Sequence, residues 1–453
     1  MGFLHKFENS LTRLPEVESP RYAITFKDKL RWTGIILIIY FLLGEIALFG
    51  LDPRAIDIFE NVRAVVAGKF GSIIALGIGP IVTASIILQI LVGGKLVDLD
   101  LSDPKDQALF QGTQKALAIL FTLFEAGVLV LMGALPPANN DPTLRLLLIG
   151  QLFLGGLLII YMDEVITKWG FGSGIGLFIV GGVCAEIAIG AFNPFPAVKG
   201  EVVAAGRIPA FISSMSLGRP DTYLLVPILG TIILFLVTVY AESVRVEIPL
   251  SYGRFRGARG RYPIKFIYAN VLPVIFAVIL MANVQLWAKM LEGIGYPLLG
   301  TFAGNTPVSG IVLYVRRPFG ISDVLNDPMH SVIYTSIMVG LSMIFSVFWV
   351  ETAGMDSKTI AKQLQEGGMV IPGFRGDIRI IEKVLDRYIP AVTWMGGAAA
   401  GLLAAFGDLT GALGGGMGVL LAVGIVYQLY EEMAKEQLME LHPMIRGMIG
   451  DIF

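Results

Sequence analysis

Four arginines, Arg254, Arg256, Arg259 and Arg261, fall within eight residues of the stretch SYGRFRGARGRYPIKF (Ser251–Phe266), and Lys265 follows close behind. Guanidinium groups match phosphate in bidentate geometry, and a cluster of them binds a polyanion in a strongly salt-dependent way. Retention of positive charge on one side of a membrane and attraction to anionic lipid are competing reasons for such a cluster. No other stretch offers bond-making chemistry. His5, His330 and His442 have no H-E-x-x-H spacing, and a single cysteine, Cys184, excludes an intrachain disulfide and a cysteine metal cluster. Gly68-Lys69 and Gly94-Lys95 are followed by Phe70 and Leu96, so neither completes a phosphate-binding loop. With no paired carboxylates and no nucleophile beside a base, the expectation is a protein that is not an enzyme and holds no cofactor or metal. Any energy from nucleotide hydrolysis must then come from a partner. The remaining polar candidates are Glu45, Glu125, Glu186 and Asn283, which sit inside apolar runs. There they are costly, and they serve either as ion or proton sites or as interhelical hydrogen bonds.

The elements that must position these residues are membrane helices. Of 453 residues 55% are hydrophobic and only 15% charged, with 54 glycines, and the mean hydropathy is +0.73. That composition belongs to polytopic membrane proteins. About 20 helical residues cross a hydrocarbon core of roughly 30 Å. This yardstick predicts ten spans: 32–49, 73–92, 116–135, 144–162, 172–190, 223–241, 266–287, 332–350, 389–406 and 413–430. With the N-terminus inside, the cytoplasmic segments hold 24 Lys and Arg and the external ones nine, so both termini and the arginine-rich loop are expected in the cytoplasm. Phe3 to Leu14 reads as an interfacial amphipathic helix or a solvated arm. Ten spans divide into two sets of five, 1–190 and 223–430, joined by the external segment 191–222 and followed by a tail, 431–453. An odd number of helices per set makes the two halves inverted relative to each other.

Two segments depart from simple spans. In Leu51–Ser72, the apolar residues Ile58, Phe59, Val62, Val65 and Val66 recur at helical spacing among Asp57, Glu60, Arg63 and Lys69. That is too short and too charged to cross lipid, which leaves a surface helix or a half-helix folded into a protein-lined cavity. The second span contains Gly77, Gly79 and Pro80, so a thinned helix is expected there. Ile78 and Val82, four apart, share a face, and Ile175 and Ile179 repeat the spacing. Such pairs ordinarily face lipid or other helices.

Several strings, in order along the chain, resemble one family. They are LGIGPIVTASIILQIL (76–91), ALFQGTQK (108–115), YMDEVITKWGFGSGIGLFI (161–179), YAESVRVEIPLSYGRFRGARGRYPIKF (240–266), ANVQLW (282–287), FWVETAG (348–354), GFRG (373–376) and GALGGGMGVLL (411–421). Together they resemble SecY, the pore subunit of the protein-conducting translocon, in its archaeal-type form. The resemblance implies an all-α membrane fold of ten helices in two pseudo-symmetric, inverted halves around an hourglass pore. By position in the matching motifs it implies a constriction ring of Ile78, Val82, Ile175, Ile179, Ile275 and Leu421. A ring of aliphatic side chains closes around a passing chain without hydrogen-bonding it, and hydrophobic constrictions gate by dewetting. The segment 55–70 resembles the plug, and Thr83, Glu125 and Asn283 match a lateral gate between the second and third spans on one side and the seventh and eighth on the other.

The resemblance also gives the arginines a partner. Arg254, Arg256, Arg259, Arg261 and Lys265, with Arg375 and Arg379 of the second basic loop, would form a cationic face for ribosomal RNA. It further implies a SecE-type and a Sec-beta-type small membrane subunit, translocating polypeptides with their signal sequences, and surrounding lipid. The expected location is the plasma membrane, or the endoplasmic reticulum membrane in a eukaryote. An inverted-repeat secondary transporter and a non-conducting scaffold are the rival classes. The first would require charged residues clustered at the midplane.

Overall fold

The computed structural model describes residues 15–441 except 23, 53–67, 94–96, 98, 100–103, 132, 134, 140, 197–204, 217, 219, 253–258, 270–271, 294, 304–305, 367–368 and 371–376. The amphipathic segment Phe3–Leu14, the plug residues Ile58, Phe59, Val62, Val65 and Val66, and Arg254, Arg256 and Arg375 lie outside the described residues.

Helices dominate. The first half of the chain forms α1 (Phe26–Glu45), α2 (Gly79–Gly93), α3 (Pro104–Leu131), α4 (Pro142–Trp169) and α5 (Gly174–Phe192). The second half forms α6 (Arg207–Ser216), α7 (Val226–Ser243), α8 (Leu272–Gly293), the short α9 (Ile311–Val315) and α10 (Ile321–Asn326), α11 (Pro328–Thr352), α12 (Ser357–Glu366), α13 (Ile378–Thr410) and α14 (Gly416–Leu441). Among the described residues, eight helices are long and apolar enough to cross a membrane: α3, α4, α5, α7, α8, α11, α13 and α14. The other two expected spans correspond to α1, whose first turns carry Lys27, Asp28, Lys29 and Arg31, and to the shorter apolar α2. The chain is a multi-pass membrane protein.

The structure corrects two expectations about these helices. Residues 73–78 of the second span are turns, and the helix starts only at Gly79. Pro80 is therefore at the helix start, where its missing N–H has no intrahelical partner to lose, and it does not thin a span from within. The six-residue approach to α2 is held as extended and turn backbone by Leu48 N donating to Gly71 O at 2.7 Å and Ile73 N donating to Ile46 O at 3.0 Å. It presses on α4 at Gly155, where an added Cβ would sit 1.9 Å from Ile73 O. Several helices also outrun their predicted spans on the side where the charge count places the cytoplasm. α3 begins at Pro104, α13 at Ile378, and α14 continues to Leu441. Hydropathy detects the part of a helix that needs lipid, while the helix itself continues into water on polar residues.

The largest buried cluster among the described residues joins α1, α2, α3, α4, α5, α8, α11, α13 and α14. At the end away from the basic loops, the buried carboxylate of Asp408, near the end of α13, accepts from Tyr334 Oη of α11 at 2.7 Å and from Gly416 N at the start of α14 at 2.9 Å, and stands 3.1 Å from Arg317 Nε. Three helices and the loop between α9 and α10 are fixed by one acid, whose charge is offset by that arginine. At the opposite, basic end, residues 15–18 lie across α3 and α4. Val17 N donates to Glu164 at 3.0 Å, Trp169 Nε1 donates to Glu18 O at 2.9 Å, and Lys115 pairs with Glu164.

The basic end also carries strand structure that hydropathy does not reveal. β1 (Arg245–Tyr252) pairs antiparallel with β2 (Arg259–Lys265), while at the other end β3 (Phe302–Ala303) and β4 (Thr306–Pro307) form a small hairpin in the loop between α8 and α9. β5 (Met369–Val370) pairs with the far end of β1, giving a sheet ordered β2-β1-β5.

Candidate functional site

Five of the six side chains expected at a constriction line one cavity of about 560 Å³: Val82 of α2, Ile175 and Ile179 of α5, Ile275 of α8 and Leu421 of α14. Ile78 is fully buried in the same cluster but is not part of the cavity lining. It precedes α2, yet its carbonyl accepts from Val82 N at 3.0 Å, so it holds the cap position and keeps the expected spacing to Val82. The start of α5 is fixed by a carboxylate from outside the helix. Asp163 of α4 accepts from Ile175 N at 2.9 Å, satisfying one of the unpaired amides of that terminus and so aiming Ile175 and, one turn on, Ile179. Four helices distant in sequence thus bring aliphatic side chains to one place. Walls of this kind offer a passing chain no hydrogen-bond partner and give a hydrated ion nothing to replace its water.

Away from the aliphatic end, Ser85 and Gln89 of α2, Gln114 of α3, and Gln428 and Glu432 of α14 line the same cavity. These polar positions lie toward the basic end, and the sequence reading missed them. Their signal was present in the one-turn pairs 85/89 and 428/432 at the ends of apolar helices. Phe276 of α8 and Trp349 of α11 also line it, so helices α2 and α3 face α8 and α11 across the cavity. α2 also packs directly on α11.

The three polar residues expected along that seam are not joined across it. Thr83 Oγ1 of α2 donates to Gly79 O at 2.9 Å and also to Glu125 Oε1 of α3 at 3.3 Å. Both partners therefore belong to one side of the seam, and this bond steadies α2 against α3. Asn283 is half-buried on α8, on the other side. Glu45, one of the in-span acids, is at the last residue of α1, where it is exposed and 2.5 Å from Lys69 Nζ.

At the basic end, the two basic loops meet in one sheet, since β5 comes from the loop before α13 and pairs at Ser251↔Val370 and Tyr252↔Met369. Side chains alternate across a strand, and the buried Ile248 and Ile264 pack on α12 and α13 in a second hydrophobic cluster. Arg259, Arg261 and Lys265 are in register with Ser251, Pro249 and Arg245, at positions of the opposite parity to Ile264. Lys265 sits at the base of the hairpin with its charge already engaged. Its Nζ lies 2.8 Å from Glu431 of α14 and over the ring of Tyr427, and Glu431 also pairs with Arg245. Arg379 is exposed in the first turn of α13, and its backbone N donates to the capping Asp377 at 3.0 Å. Below the sheet, Tyr268 donates to Met355 O at 2.7 Å, and burial pushes its phenol above the ordinary range.

A family model for SecY matches residues 72–430. The chain belongs to the SecY family. A second model, described as the plug domain of Sec61p, matches residues 38–71, a span that contains the segment 55–70 and starts well before it. The protein translocase subunit SecY of Methanothermobacter thermautotrophicus is 52% identical, over 98% of this chain and 99% of that one. The SecY of Methanocaldococcus jannaschii is 46% identical, over 97% of this chain and 98% of its own length. Among solved structures, one described as a protein conducting channel has a TM-score of 0.85 at 46% identity, covering 96% of this chain and 98% of that one. Another, of Sec61 in the canine ribosome-channel complex from the endoplasmic reticulum, has a TM-score of 0.83 at 46% identity, with the same coverage of both chains.

Proposed function

We propose that this SecY-family chain is the pore subunit of a protein-conducting channel, which passes unfolded secretory polypeptides across the membrane and releases hydrophobic segments sideways into the bilayer. The observation that carries this reading is the convergence of Val82, Ile175, Ile179, Ile275 and Leu421 from four helices on one cavity. In this reading they form the constriction with Ile78, and residues 55–70 act as the plug on its outer side. The amide-lined part of the cavity is the cytoplasmic vestibule, where an extended chain is still wet before it meets the aliphatic waist. The seam of α2 and α3 against α8 and α11 is the lateral gate, with Thr83 and Glu125 on one side and Asn283 on the other. Gate opening separates α2 from α11, and a signal helix takes the place of that contact.

The ribosome contact belongs to the sheet that unites the two basic loops. Arg254, Arg256, Arg259, Arg261, Arg375 and Arg379 supply the phosphate-binding groups, and Lys265 chiefly anchors the hairpin to α14. Residues 1–190 and 223–430 are the two halves, 191–222 the external connection and 431–453 the cytoplasmic tail. The charge count supports cytoplasmic termini, and the membrane in this reading is the plasma membrane. SecE-type and Sec-beta-type subunits complete the assembly, and the elongating ribosome drives transport, since the chain has no phosphate cradle of its own.

The test is a stalled nascent chain in membranes carrying Ile179→Cys or Ile78→Cys, with Cys184→Ala removing the native thiol. A crosslink from the chain to position 179 or 78, and none to a lipid-facing control such as Leu236→Cys, is the expected result. Equal labelling of the control and the waist positions would refute the conduit.

A further inference from the structure

The external connection between the two halves contains a helix whose polarity is inverted relative to one lying in water. In α6 (Arg207–Ser216) the side turned to the protein carries Ala210, only 4% exposed, and the side turned away carries Ile212 and Met215, 61% and 58% exposed. Their three-residue spacing puts them on one stripe. Apolar side chains exposed singly are ordinary, but a contiguous stripe on a short helix is not.

Three observations fix what covers the stripe. The first is position. α6 is held against the end of α5, because Gly206 N donates to Asn193 O and Ala205 N donates to Phe195 O, each at 2.9 Å. The approach is so close that a Cβ on Gly206 would lie 2.5 Å from Asn193 N. The helix is therefore seated at the level where α5 ends, which is the boundary of the bilayer. The second is hydroxyl satisfaction. Ser213, Ser214 and Ser216 all turn their hydroxyls back on the helix, donating to Ala210 O, Phe211 O and Ser213 O at 2.8, 2.7 and 2.7 Å. Bonds of this kind lower the cost of placing a serine at a low-polarity boundary, so the three hydroxyls do not oppose contact with lipid. The third is continuity. Phe195 and Tyr223, at either end of the connection, are both more than two-thirds exposed, and they extend the stripe toward the lipid-facing side of α7. Aromatic residues at that level are those that favour a membrane interface.

We propose that α6 lies in the outer interface of the bilayer, with Ile212 and Met215 in the lipid and Phe195 and Tyr223 flanking them, so that this helix is a lipid-bound float and not an element in water. Arg207, exposed at the helix start, is placed to reach the phosphate level. The pivot between the halves is then tied to the depth of the membrane surface. This rests on the chain spanning the membrane, and it does not depend on conduction.

The test uses the full chain in phosphatidylcholine–phosphatidylglycerol vesicles, with Cys184→Ala and a fluorophore at Ile212→Cys, Met215→Cys or, as a water-exposed control, Asp221→Cys. Labels at 212 and 215 should be quenched about fivefold more strongly than the control by lipids brominated near the headgroup, and less strongly than the control by aqueous iodide. Quenching by iodide equal to that of the control would overturn the proposal. So would protection from both quenchers, which would show a protein partner on the stripe. Nascent-chain crosslinking at position 179 in the same preparations separates this outcome from failure of the conduit.

Discussion

The waist and the basic sheet are built on opposite terms. The waist takes neutral side chains from positions as far apart as 78 and 421 and depends on four helices closing together. The sheet takes its charges from neighbouring positions and depends mainly on one hairpin, with a two-residue strand from the other basic loop added at its edge. In the proposed reading a waist residue acts through packing and seals by what it cannot do, which is to hydrogen-bond, whereas a sheet residue acts through a long-range field that survives small displacements. The comparison teaches that each region should fail separately: binding without loss of seal at the sheet, and loss of seal without loss of binding at the waist.

The largest expected effect is at the sheet. Replacing Arg254, Arg256, Arg259 and Arg261 with glutamate reverses the field that phosphates encounter. Each lost phosphate contact also removes about one unit from the slope of log affinity against log salt. Ribosome affinity, measured by co-sedimentation at low salt, should fall at least about 100-fold, with unchanged helical circular dichroism and unchanged ion tightness. Retained binding would move the partner site elsewhere.

The converse experiment is at the waist. Ile179→Asn or Ile275→Asn places an amide in the aliphatic wall, where water can follow it. Vesicles reconstituted with either variant should leak ions faster than the parent, and ribosome binding should be unaffected. An amide without a partner at a buried position costs about 1–3 kcal/mol, so monodispersity in detergent is the control for folding. Ile179→Val, a smaller change of about 0.5–1.5 kcal/mol, should leave the seal intact. A leak caused equally by valine would mean that fit, and not polarity, keeps ions out.

The two regions were also unequally legible in the sequence. The spans were readable, because twenty apolar residues have few other uses. Their ends were less so, since Pro80 starts a helix only when the backbone before it is held by Ile46 and Gly71 through contacts that no local pattern encodes. The sheet was hidden for a similar reason. The arginines were conspicuous, but β5 is two residues long, and only its pairing with Ser251 and Tyr252 shows that the basic loops are one surface. Ile78, Val82, Ile175 and Ile179 gave only an i, i+4 spacing that any lipid-facing pair shares. The motif resemblance singled them out, and packing brings three of the four to the cavity wall. Thr83 and Glu125 meet within the side of the seam on which the motif resemblance puts them both, because α2 and α3 are adjacent in sequence and pack as a pair.

One helix tests whether the separation between the regions is complete. α14 carries Leu421 at the waist and Glu431 at the hairpin base, ten residues or roughly 15 Å apart along the axis. Glu431 holds both Arg245 and Lys265, and all three side chains are between about a quarter and two-fifths exposed. Partly exposed pairs of this kind contribute about 0.2–1 kcal/mol each. Glu431→Gln should thus loosen the hairpin slightly, and ribosome affinity at low salt should change by no more than about fivefold, with the loss fading as salt screens both variants alike. The ion leak should not move, because the packing around Leu421 is uncharged and fully buried. A leak that rises in E431Q would mean that α14 transmits a pull on the hairpin to the waist. The sheet would then be a lever on the seal as well as a landing surface, and the contrast between the two regions would hold for their construction but not for their action.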